Sequence, residues 1–359
     1  MNWLKIYERL VNTDTGFELS NDEKLRSTSF VSDILKNMGF EVRTSKASHI
    51  ATFGEPPYVT LIGHLDTVFK RGEPSRRPFK KEGNVVKGPG VADMKGGVIV
   101  MLESLKRFLN EKKKLSIAVV LNVDEEVGSP NGMFDHYEMA EKSWFCLSFE
   151  TGRKDEAVVL ERKGIASLKV SIIGESGHAS LPNSGANALL EMSDKLVKLW
   201  SLSKGDLTVT PTICSSGYKI NVIPDRADAM LDVRYSDIEQ IKKLRVELES
   251  IFHNKLIEKT KTSYSLELKR PPMKKSELAE EVFEKARIRL GKDIKGLSVS
   301  GGGDASFYAE KGIPSIDGLG IVGRWIHSPN EEAYLSTFES RVNLTIELLR
   351  VLEEYDFRK

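Results

Sequence analysis

The sequence has few of the features that mark secreted, membrane-bound or disulfide-stabilised proteins. Only Cys146 and Cys214 are cysteines in a chain of 359 residues, so we expect no disulfide framework and favour a reducing compartment. An apolar run of about 18 residues is absent, which predicts that no helix spans a membrane. The first 20 residues alternate charged and apolar side chains and lack the apolar core of a secretory signal. These absences predict a soluble, cytoplasmic protein without a membrane partner.

An excess of charge of one sign is also missing. The chain has 53 basic and 52 acidic side chains, and no long basic stripe occurs, so a nucleic-acid partner is not favoured. The densest basic run, 112–114, is expected at a solvated helix end or in a loop. With 40% hydrophobic and 29% charged residues the composition is that of a globular protein. At roughly 100–200 residues per domain, its length favours two domains.

The first half of the chain alternates strand-like and helix-like segments. About the first 45 residues read as a helix pair followed by a short strand. Compact apolar runs at 58–64, 115–126 and 144–150 stop abruptly at polar residues and predict buried strands, and 93–110 predicts a helix between two of them. This order predicts an α/β domain with a largely parallel sheet between helices.

The pattern changes near residue 165. Segment 164–174 alternates apolar and polar residues, as a strand with one wet face does, and the strands and helices that follow have antiparallel α+β character. After Pro271 the α/β pattern resumes and continues to a helix near the C-terminus. We therefore predict a discontinuous α/β domain, residues 1–165 and 272–359, with an inserted α+β domain, residues 166–271.

Residues of metal-ligand type follow several of the predicted strands. Alone, each has an ordinary explanation: a histidine after a strand is usually a loop residue, and paired acids are usually solvated. Together they are informative, because ligands collect beyond the carboxyl ends of strands in open α/β sheets. A carboxylate at such a position is costly unless charge or hydrogen bonds compensate it, and metals are the usual compensation. The residues are His64, Asp66, Asp93, Glu125, Glu126, Glu150 and His327.

Six motifs in order along the chain resemble those of a known enzyme family. They are GHLDTV, GPGVADMKGG, DEEVGS, SGHAS, SGGGDASF and HSPNE. The chain resembles, over nearly its whole length, the zinc-dependent co-catalytic metallopeptidases and deacylases. This family includes glutamate carboxypeptidase, peptidase T, acetylornithine deacetylase and succinyl-diaminopimelate desuccinylase, and the likeness is greatest to the first two.

The resemblance implies a site for two divalent metal ions in each chain. Asp93 would bridge the two ions, His64 and Glu150 would complete the shell of one, and Glu126 and His327 that of the other. These shells mix nitrogen and oxygen without thiolate, which suits Zn²⁺ and also Co²⁺ or Mn²⁺.

The resemblance also implies roles for three residues that do not bind metal. Asp66 would hydrogen-bond the imidazole of His64 and fix its tautomer. Glu125 would act as the general base on the attacking water. His178 would donate a hydrogen bond to the developing oxyanion, and in similar enzymes this histidine reaches across a dimer interface. A homodimer formed through the inserted domain is therefore expected.

Two further segments match family positions that meet the substrate. Arg234 and Asn221 would lie at its carboxylate end, and an arginine fork suits a carboxylate. Gly301, Gly302 and Gly303 could add backbone N–H donors, although a glycine turn that merely joins two elements is the simpler explanation. Asp304, the next residue, could serve only to hold this loop.

The resemblance implies a metal-dependent hydrolase that cleaves an amide bond beside a free carboxylate, as a carboxypeptidase or dipeptidase does. An N-acyl-amino-acid deacylase is the alternative, because fold and metal site do not separate the two. An inactive, dimeric binding relative is disfavoured because Glu125 and all five direct ligands are present. The inserted domain is expected to close as a lid, with hinges near Gly164 and Pro271.

Overall fold

The computed structural model describes residues 2–111 and 114–355, so Lys112 and Lys113 of the basic run lie outside the described residues. The described chain divides into two compact units. The first unit comprises Met1–Glu161, Met273–Val299 and Gly303–Lys359, and the second comprises Arg162–Pro272 and Ser300–Gly302. Assignment of the units to a catalytic and a dimerisation domain stays a prediction.

The helices and strands of the described residues are as follows. The α-helices are α1 (Trp3–Asn12), α2 (Asn21–Ser27), α3 (Ser29–Asn37), α4 (Glu73–Arg76), α5 (Lys95–Asn110), α6 (Gly132–Ala140), α7 (Ala188–Trp200), α8 (Ile238–His253), α9 (Glu277–Leu290), α10 (Ala305–Glu310) and α11 (Phe338–Glu354). The strands are β1 (Glu41–Thr44), β2 (Ser48–Phe53), β3 (Tyr58–His64), β4 (Lys80–Glu82), β5 (Val85–Lys87), β6 (Ile117–Asn122), β7 (Ser143–Ser148), β8 (Val158–Arg162), β9 (Gly164–Ile173), β10 (Gly177–His178), β11 (Thr208–Ser216), β12 (Val222–Ile223), β13 (Arg226–Tyr235), β14 (Lys261–Arg270), β15 (Gly296–Val299), β16 (Ser315–Ile316), β17 (Gly323–Arg324) and β18 (Glu332–Tyr334). Within these described segments, none of the helices is both long and apolar enough to span a bilayer.

A six-stranded sheet forms the centre of the first unit. Its strand order is β1-β2-β6-β3-β7-β16. Strands β6, β3, β7 and β16 run parallel to one another, whereas β2 pairs antiparallel with both β1 and β6. The prediction of an α/β domain with a largely parallel sheet is thus confirmed.

The central strands are apolar because both of their faces are covered. In β6, Val119 and Leu121 belong to the core beneath α5, while Ala118 and Val120 belong to a second core on the opposite face, beneath α6. Successive side chains of a strand point to opposite faces, so a strand buried on both sides needs a continuous apolar run. This explains why these runs are readable in the sequence.

The second unit is built on a four-stranded antiparallel sheet. Its order is β11-β13-β9-β14. Alternate residues of β9, including Leu168 and Ile172, are buried in a core that also contains side chains from α7 and α8. The residues between them are partly or fully exposed. The predicted α+β character of this segment is confirmed, with one covered and one solvated sheet face.

Candidate metal centre

Three neighbouring parallel strands of the first unit end at the same edge of the sheet. His64 is the last residue of β3, and Glu150 follows the end of β7 by two residues. Glu126 lies in a single 3-10 turn, Glu125–Val127, just beyond β6. Because β6, β3 and β7 are adjacent and parallel, these three side chains share one edge of the sheet.

Asp93 lies between two imidazoles. It belongs to the loop before α5, and the peptide bond between Asp93 and Met94 is cis. Its Oδ1 is 3.4 Å from His64 Nε2, and its Oδ2 is 3.1 Å from His327 Nε2. Each carboxylate oxygen therefore faces a different histidine, which is the arrangement needed by a carboxylate shared between two cations.

The five residues expected to bind metal form two groups that share Asp93. One group contains His64, Asp93 and Glu150, the other contains Asp93, Glu126 and His327, and in each group the potential ligand atoms lie within 4.8 Å of one another. Glu150 Oε1 is 3.9 Å from His64 Nε2, and Glu126 Oε2 is 3.3 Å from His327 Nε2. Two sets of mixed nitrogen and oxygen donors at this spacing fit two divalent cations of the zinc type.

The electrostatics of the cluster also favour cations. Burial, together with the negative charge of Asp93, raises the pKa of Glu126 to about 7 and that of Glu150 well above its ordinary value. Hydrogen bonds to Asp93 and Glu126 raise the pKa of His327 to about 10. Carboxylates crowded in this way repel one another unless positive charge is present. Either bound protons or divalent cations can supply that charge.

Asp66 connects the ligand His64 to the turn that carries Glu125 and Glu126. The carboxylate is fully buried, and its Oδ1 lies 3.3 Å from His64 Nδ1, which is also 3.2 Å from the backbone carbonyl oxygen of Asp66. Oδ1 also accepts the backbone N–H of Glu125 at 3.2 Å, and Oδ2 accepts that of Glu126 at 3.0 Å. Asp66 thus contacts the nitrogen of His64 that faces away from Asp93, the position from which a carboxylate orients a metal-binding imidazole.

His327 adopts an uncommon backbone conformation for its residue type. Its φ is 62°, in the left-handed region, which costs energy for a residue with a Cβ atom and is concentrated at functional sites. The conformation lies in the loop between β17 and β18 and brings Nε2 of His327 to both Asp93 and Glu126.

Glu331 has a contact that sequence reasoning missed. Its buried carboxylate accepts the backbone N–H groups of Gly90, Ala92 and Asp93 at 2.9, 2.8 and 3.0 Å. Burial, with the charge of Asp93 adding, raises the pKa of Glu331 to about 7. The only signal in the sequence was its place in the HSPNE motif, four residues after His327.

Asp304 holds the loops behind the site. Its carboxylate accepts hydrogen bonds from the Asn122 amide at 2.8 Å and the Ser129 hydroxyl at 2.7 Å, and it lies 3.0 Å from His136 Nε2. Asn122 ends β6 and Ser129 follows the turn that carries Glu125. Asp304 therefore fixes both sides of this turn, whereas its expected role in holding the glycine loop stays a prediction.

His178 and Asn221 are neighbours in the second unit. Strands β10 and β12 pair there, and the N–H of Ala179 donates to the carbonyl oxygen of Asn221 at 3.0 Å. The exposed His178 ring accepts the N–H of Ser180 at Nδ1, 3.2 Å away, and the Ser180 hydroxyl lies 2.7 Å from the same nitrogen. With Nδ1 acting as an acceptor, the neutral ring carries its proton on Nε2.

Arg234 already has a carboxylate partner within the second unit. Its Nε and one terminal nitrogen donate to the two oxygens of Asp232 at 2.8 and 3.0 Å, and its other terminal nitrogen donates to the carbonyl of Ser300 at 3.2 Å. A substrate carboxylate would have to share this guanidinium with Asp232. Sequence reasoning did not anticipate this competitor, although residues two apart on a strand share a face.

The glycine cluster lies among buried arginines. One terminal nitrogen of Arg162 donates to the carbonyl oxygens of Gly301 and Gly302, each at 3.0 Å. A Cβ atom on Gly302 would lie 2.6 Å from the Ile165 side chain and 3.3 Å from that of Arg270, so a larger residue there would require the Ile165 side chain to shift. Gly301 and Gly302 belong to the second unit, and Gly303 belongs to the first.

Known proteins resemble this chain over most of its length. Carboxypeptidase G2 of Pseudomonas sp. (strain RS-16) is 32% identical over 351 residues, which cover 92% of this chain and 84% of that protein. Succinyl-diaminopimelate desuccinylase of Legionella pneumophila (strain Lens) is 26% identical over 351 residues and covers 88% of this chain and 90% of that protein. The crystal structure of aminopeptidase PepT from Bacillus cereus ATCC 10987 has the same fold, with a TM-score of 0.81, 17% identity and 98% coverage of both chains.

The family profile agrees with these likenesses. The sequence profile of peptidase family M20/M25/M40 matches residues 60–351 of this chain. This range includes all five candidate ligands. The chain accordingly is an enzyme of the metallopeptidase and amidohydrolase class, and it belongs to peptidase family M20/M25/M40.

Proposed function

We propose that this enzyme hydrolyses an amide bond beside a free carboxylate, as a carboxypeptidase or dipeptidase would, with two Zn²⁺ ions bound. The observation that carries the proposal is the position of Asp93, whose two oxygens face His64 and His327 at 3.4 and 3.1 Å. The likeness to carboxypeptidase G2 supports the substrate class. Co²⁺ and Mn²⁺ would suit the same donors. The two free cysteines agree with the reducing, cytoplasmic location that we propose.

In this mechanism His64, Asp93 and Glu150 would hold one cation, and Asp93, Glu126 and His327 would hold the other. The bound ions would make the attacking water more acidic and polarise the amide carbonyl. Glu125 accepts the proton of that water while the water oxygen bonds to the carbonyl carbon. When the carbon–nitrogen bond breaks, Glu125 returns the proton to the leaving nitrogen, which completes the addition of water.

Two observations support Glu125 as the base. Its backbone N–H is anchored by Asp66, so the turn that presents its side chain is fixed. The negative charge of Glu125 also contributes to the raised pKa values of Glu126 and Glu150. A carboxylate on the same turn as the proposed ligand Glu126 is suited to take the proton of a water beside that ligand.

Residues of the second unit would complete the site. We propose that His178 donates its Nε2–H to the oxyanion, because its Nδ1 is occupied as an acceptor of the Ser180 N–H. Arg234 and Asn221, with N–H groups of the glycine cluster, would bind the substrate carboxylate. Closure of the second unit as a lid, with hinges near Gly164 and Pro271, is part of this proposal.

We propose that the second unit also forms a homodimer. Val197 and Trp200 project from α7 into solvent one helical turn apart, and Ile213 is exposed on β11, an edge strand. Helix α7 packs against β11, so these side chains belong to neighbouring elements. Exposed apolar side chains beside an unpaired strand edge are characteristic of a protein interface. If His178 acts across that interface, an isolated chain has an incomplete site.

An N-acyl-amino-acid deacylase is the second candidate. The likeness to succinyl-diaminopimelate desuccinylase favours it, and the same metal centre serves both reactions. An inactive binding relative remains the least favoured, since Glu125 and every candidate ligand are in place.

The test is a hydrolysis assay on dipeptides, C-terminal glutamyl compounds and N-acetyl amino acids, before and after removal and return of divalent metal. The Glu125→Gln variant is the control, because it should keep both ions and lose turnover by about two to four orders of magnitude. Metal-dependent cleavage of the peptides supports the first proposal, and a strong preference for acylated amino acids supports the second. If no metal is bound after reconstitution, both the peptidase and the deacylase proposals are wrong.

A further inference from the structure

We infer that Glu331 is a positioning residue that fixes the loop bearing Asp93 and so sets the spacing of the two metal subsites. This inference rests on the proposed binding of two divalent ions. It concerns a residue outside the proposed set of metal ligands. Its action is on the backbone from which the bridging ligand projects.

The carboxylate of Glu331 binds three backbone N–H groups of the segment that ends at Asp93, an arrangement called the clamp below. The side chain is 1% exposed. Its Oε1 accepts the N–H groups of Ala92 and Asp93, and its Oε2 accepts that of Gly90. Charge-assisted bonds of this length are about twice as strong as neutral ones. Three such bonds restrain the short segment that ends at Asp93.

The clamp joins the loops of two ligands. Glu331 lies four residues after His327, in the same connection between β17 and β18. Its carboxylate therefore ties the His327 loop to the Asp93 loop, and the two ligands meet at 3.1 Å between His327 Nε2 and Asp93 Oδ2. A shift of either loop would change the separation between the oxygens of Asp93 and both histidines.

The path of the clamped loop depends on other close contacts as well. Gly90 has a φ of 74°, and a Cβ atom there would lie 2.8 Å from the side chain of Thr67. The hydroxyl of Tyr7 donates to the carbonyl of Val91. The loop is thus held from several sides, and Glu331 supplies the three bonds nearest the ligand.

The next residue, Glu332, provides a matched comparison. It is also a buried glutamate, but its carboxylate accepts from Arg324 Nε at 2.6 Å and from the Tyr334 hydroxyl at 2.9 Å. These two partners of its carboxylate lie on β17 and β18, outside the Asp93 loop. Glu331→Gln and Glu332→Gln remove the same charge from adjacent positions, and only the first alters the clamp.

The experiment measures metal binding separately from activity. Metal content and the dissociation constants for Zn²⁺ are determined by chelator competition on the wild type, Glu331→Gln and Glu332→Gln. Glutamine at 331 brings an NH₂ group toward a backbone N–H, so we expect Zn²⁺ affinity to fall about 10–100-fold. We expect kcat to fall with KM little changed, and Glu332→Gln to bind Zn²⁺ within about twofold of the wild type.

Three outcomes decide the inference. Wild-type Zn²⁺ affinity in Glu331→Gln would overturn it, as would equal losses in both glutamine variants. Glu331→Asp keeps the charge but shortens the side chain, so it should also bind Zn²⁺ more weakly. If Glu331→Asp instead retains full affinity, charge alone is responsible and the positioning role is wrong. A wild type that binds no metal would refute the proposed function itself.

Discussion

One carboxylate oxygen of Asp66 accepts the backbone N–H of Glu126 at 3.0 Å. The other accepts the N–H of Glu125 and also lies 3.3 Å from His64 Nδ1. A single buried side chain thus orients one proposed ligand and the turn that carries another ligand and the proposed base. Changes at this position should affect metal binding and catalysis together.

We predict that Asp66→Asn weakens binding of the metal ions about 10–100-fold and lowers kcat. The amide keeps one acceptor oxygen, but its NH₂ group would face a backbone N–H or the His64 ring. Chelator competition and steady-state kinetics measure the two effects. Asp135→Asn is the control, because Asp135 is a buried carboxylate that accepts from the hydroxyls of Ser45 and Ser48. Equal loss in both variants would indicate general destabilisation.

The trans action of His178 can be tested by mixing two inactive variants. His178→Ala lacks the oxyanion donor and Glu125→Gln lacks the base, so each alone should be nearly inactive. Half of randomly mixed dimers would contain both chains, and each would have one complete site, so about a quarter of wild-type activity should return. Activity that stays at the level of the separate variants would show that His178 acts within its own chain.

Trp200→Glu should convert the dimer into a monomer. Trp200 is 63% exposed on α7, and a carboxylate at the centre of an apolar contact is costly to desolvate. We expect the variant to have half the molar mass of the wild type in light scattering, to retain its metal and to lose turnover. Val246→Glu on α8 replaces another exposed apolar residue and should leave the mass unchanged. A dimeric, active Trp200→Glu protein would contradict the proposed interface.

Arg234→Lys should lower kcat/KM about 10–100-fold for substrates with a free carboxylate, because an ammonium group cannot form the bidentate fork. The corresponding carboxamide substrates should show little difference between the variant and the wild type. Arg226→Lys is a matched control, because Arg226 lies on the same strand and donates to Asp228 through the same kind of fork, at 2.7 and 3.2 Å. Equal losses on both substrates would remove Arg234 from carboxylate recognition.

Stability should depend on pH through His49. Burial lowers the pKa of His49 from 6.5 to about 4, and its ring nitrogens contact the Thr28 and Ser32 hydroxyls at 3.0 and 2.9 Å. Between pH 6.5 and 4, His49 is protonated in the unfolded chain but neutral in the folded chain. The contribution of neutral His49 to the free energy of unfolding is therefore full above about pH 6.5 and is lost as the pH falls toward 4.

Urea unfolding of metal-free protein at pH 7.5 and 5.0 measures this effect. The free energy of unfolding should fall by about 1–2 kcal/mol more in the wild type than in His49→Gln, which lacks the titrating group. Parallel pH dependence of the two proteins would mean that His49 is protonated equally in both states.

The buried parallel strands could be predicted because burial on both faces demands continuous apolar runs. The runs ending at His64 and close to Glu150 are β3 and β7, which are neighbours in the sheet. Strand β2 was missed because it begins with the polar residues Ser48 and His49. Both are buried, and their partners are distant in sequence: Asp135 for Ser48, and Thr28 and Ser32 for His49. Such pairings cannot be read from a local pattern.

For the candidate site, the sequence indicates which residues could bind metal. It does not indicate which residues hold those ligands in place. The acids Glu331 and Glu332 are equivalent in the sequence, yet Glu331 accepts from the Asp93 loop whereas Glu332 accepts from Arg324. Which acid does so depends on the path of the chain between β17 and β18. By contrast, the Asp232–Arg234 pair follows from strand alternation and could have been foreseen.

The discontinuity of the first unit has a consequence for synthesis on the ribosome. His327 and the strand β16 that completes the central sheet lie C-terminal to the whole second unit. Nascent domains usually fold from the N-terminus onward. Here the second unit is nearly continuous in sequence, so it can become native while the first unit still lacks β16. We therefore expect metal to enter late, after the final helix has emerged and both histidines are available.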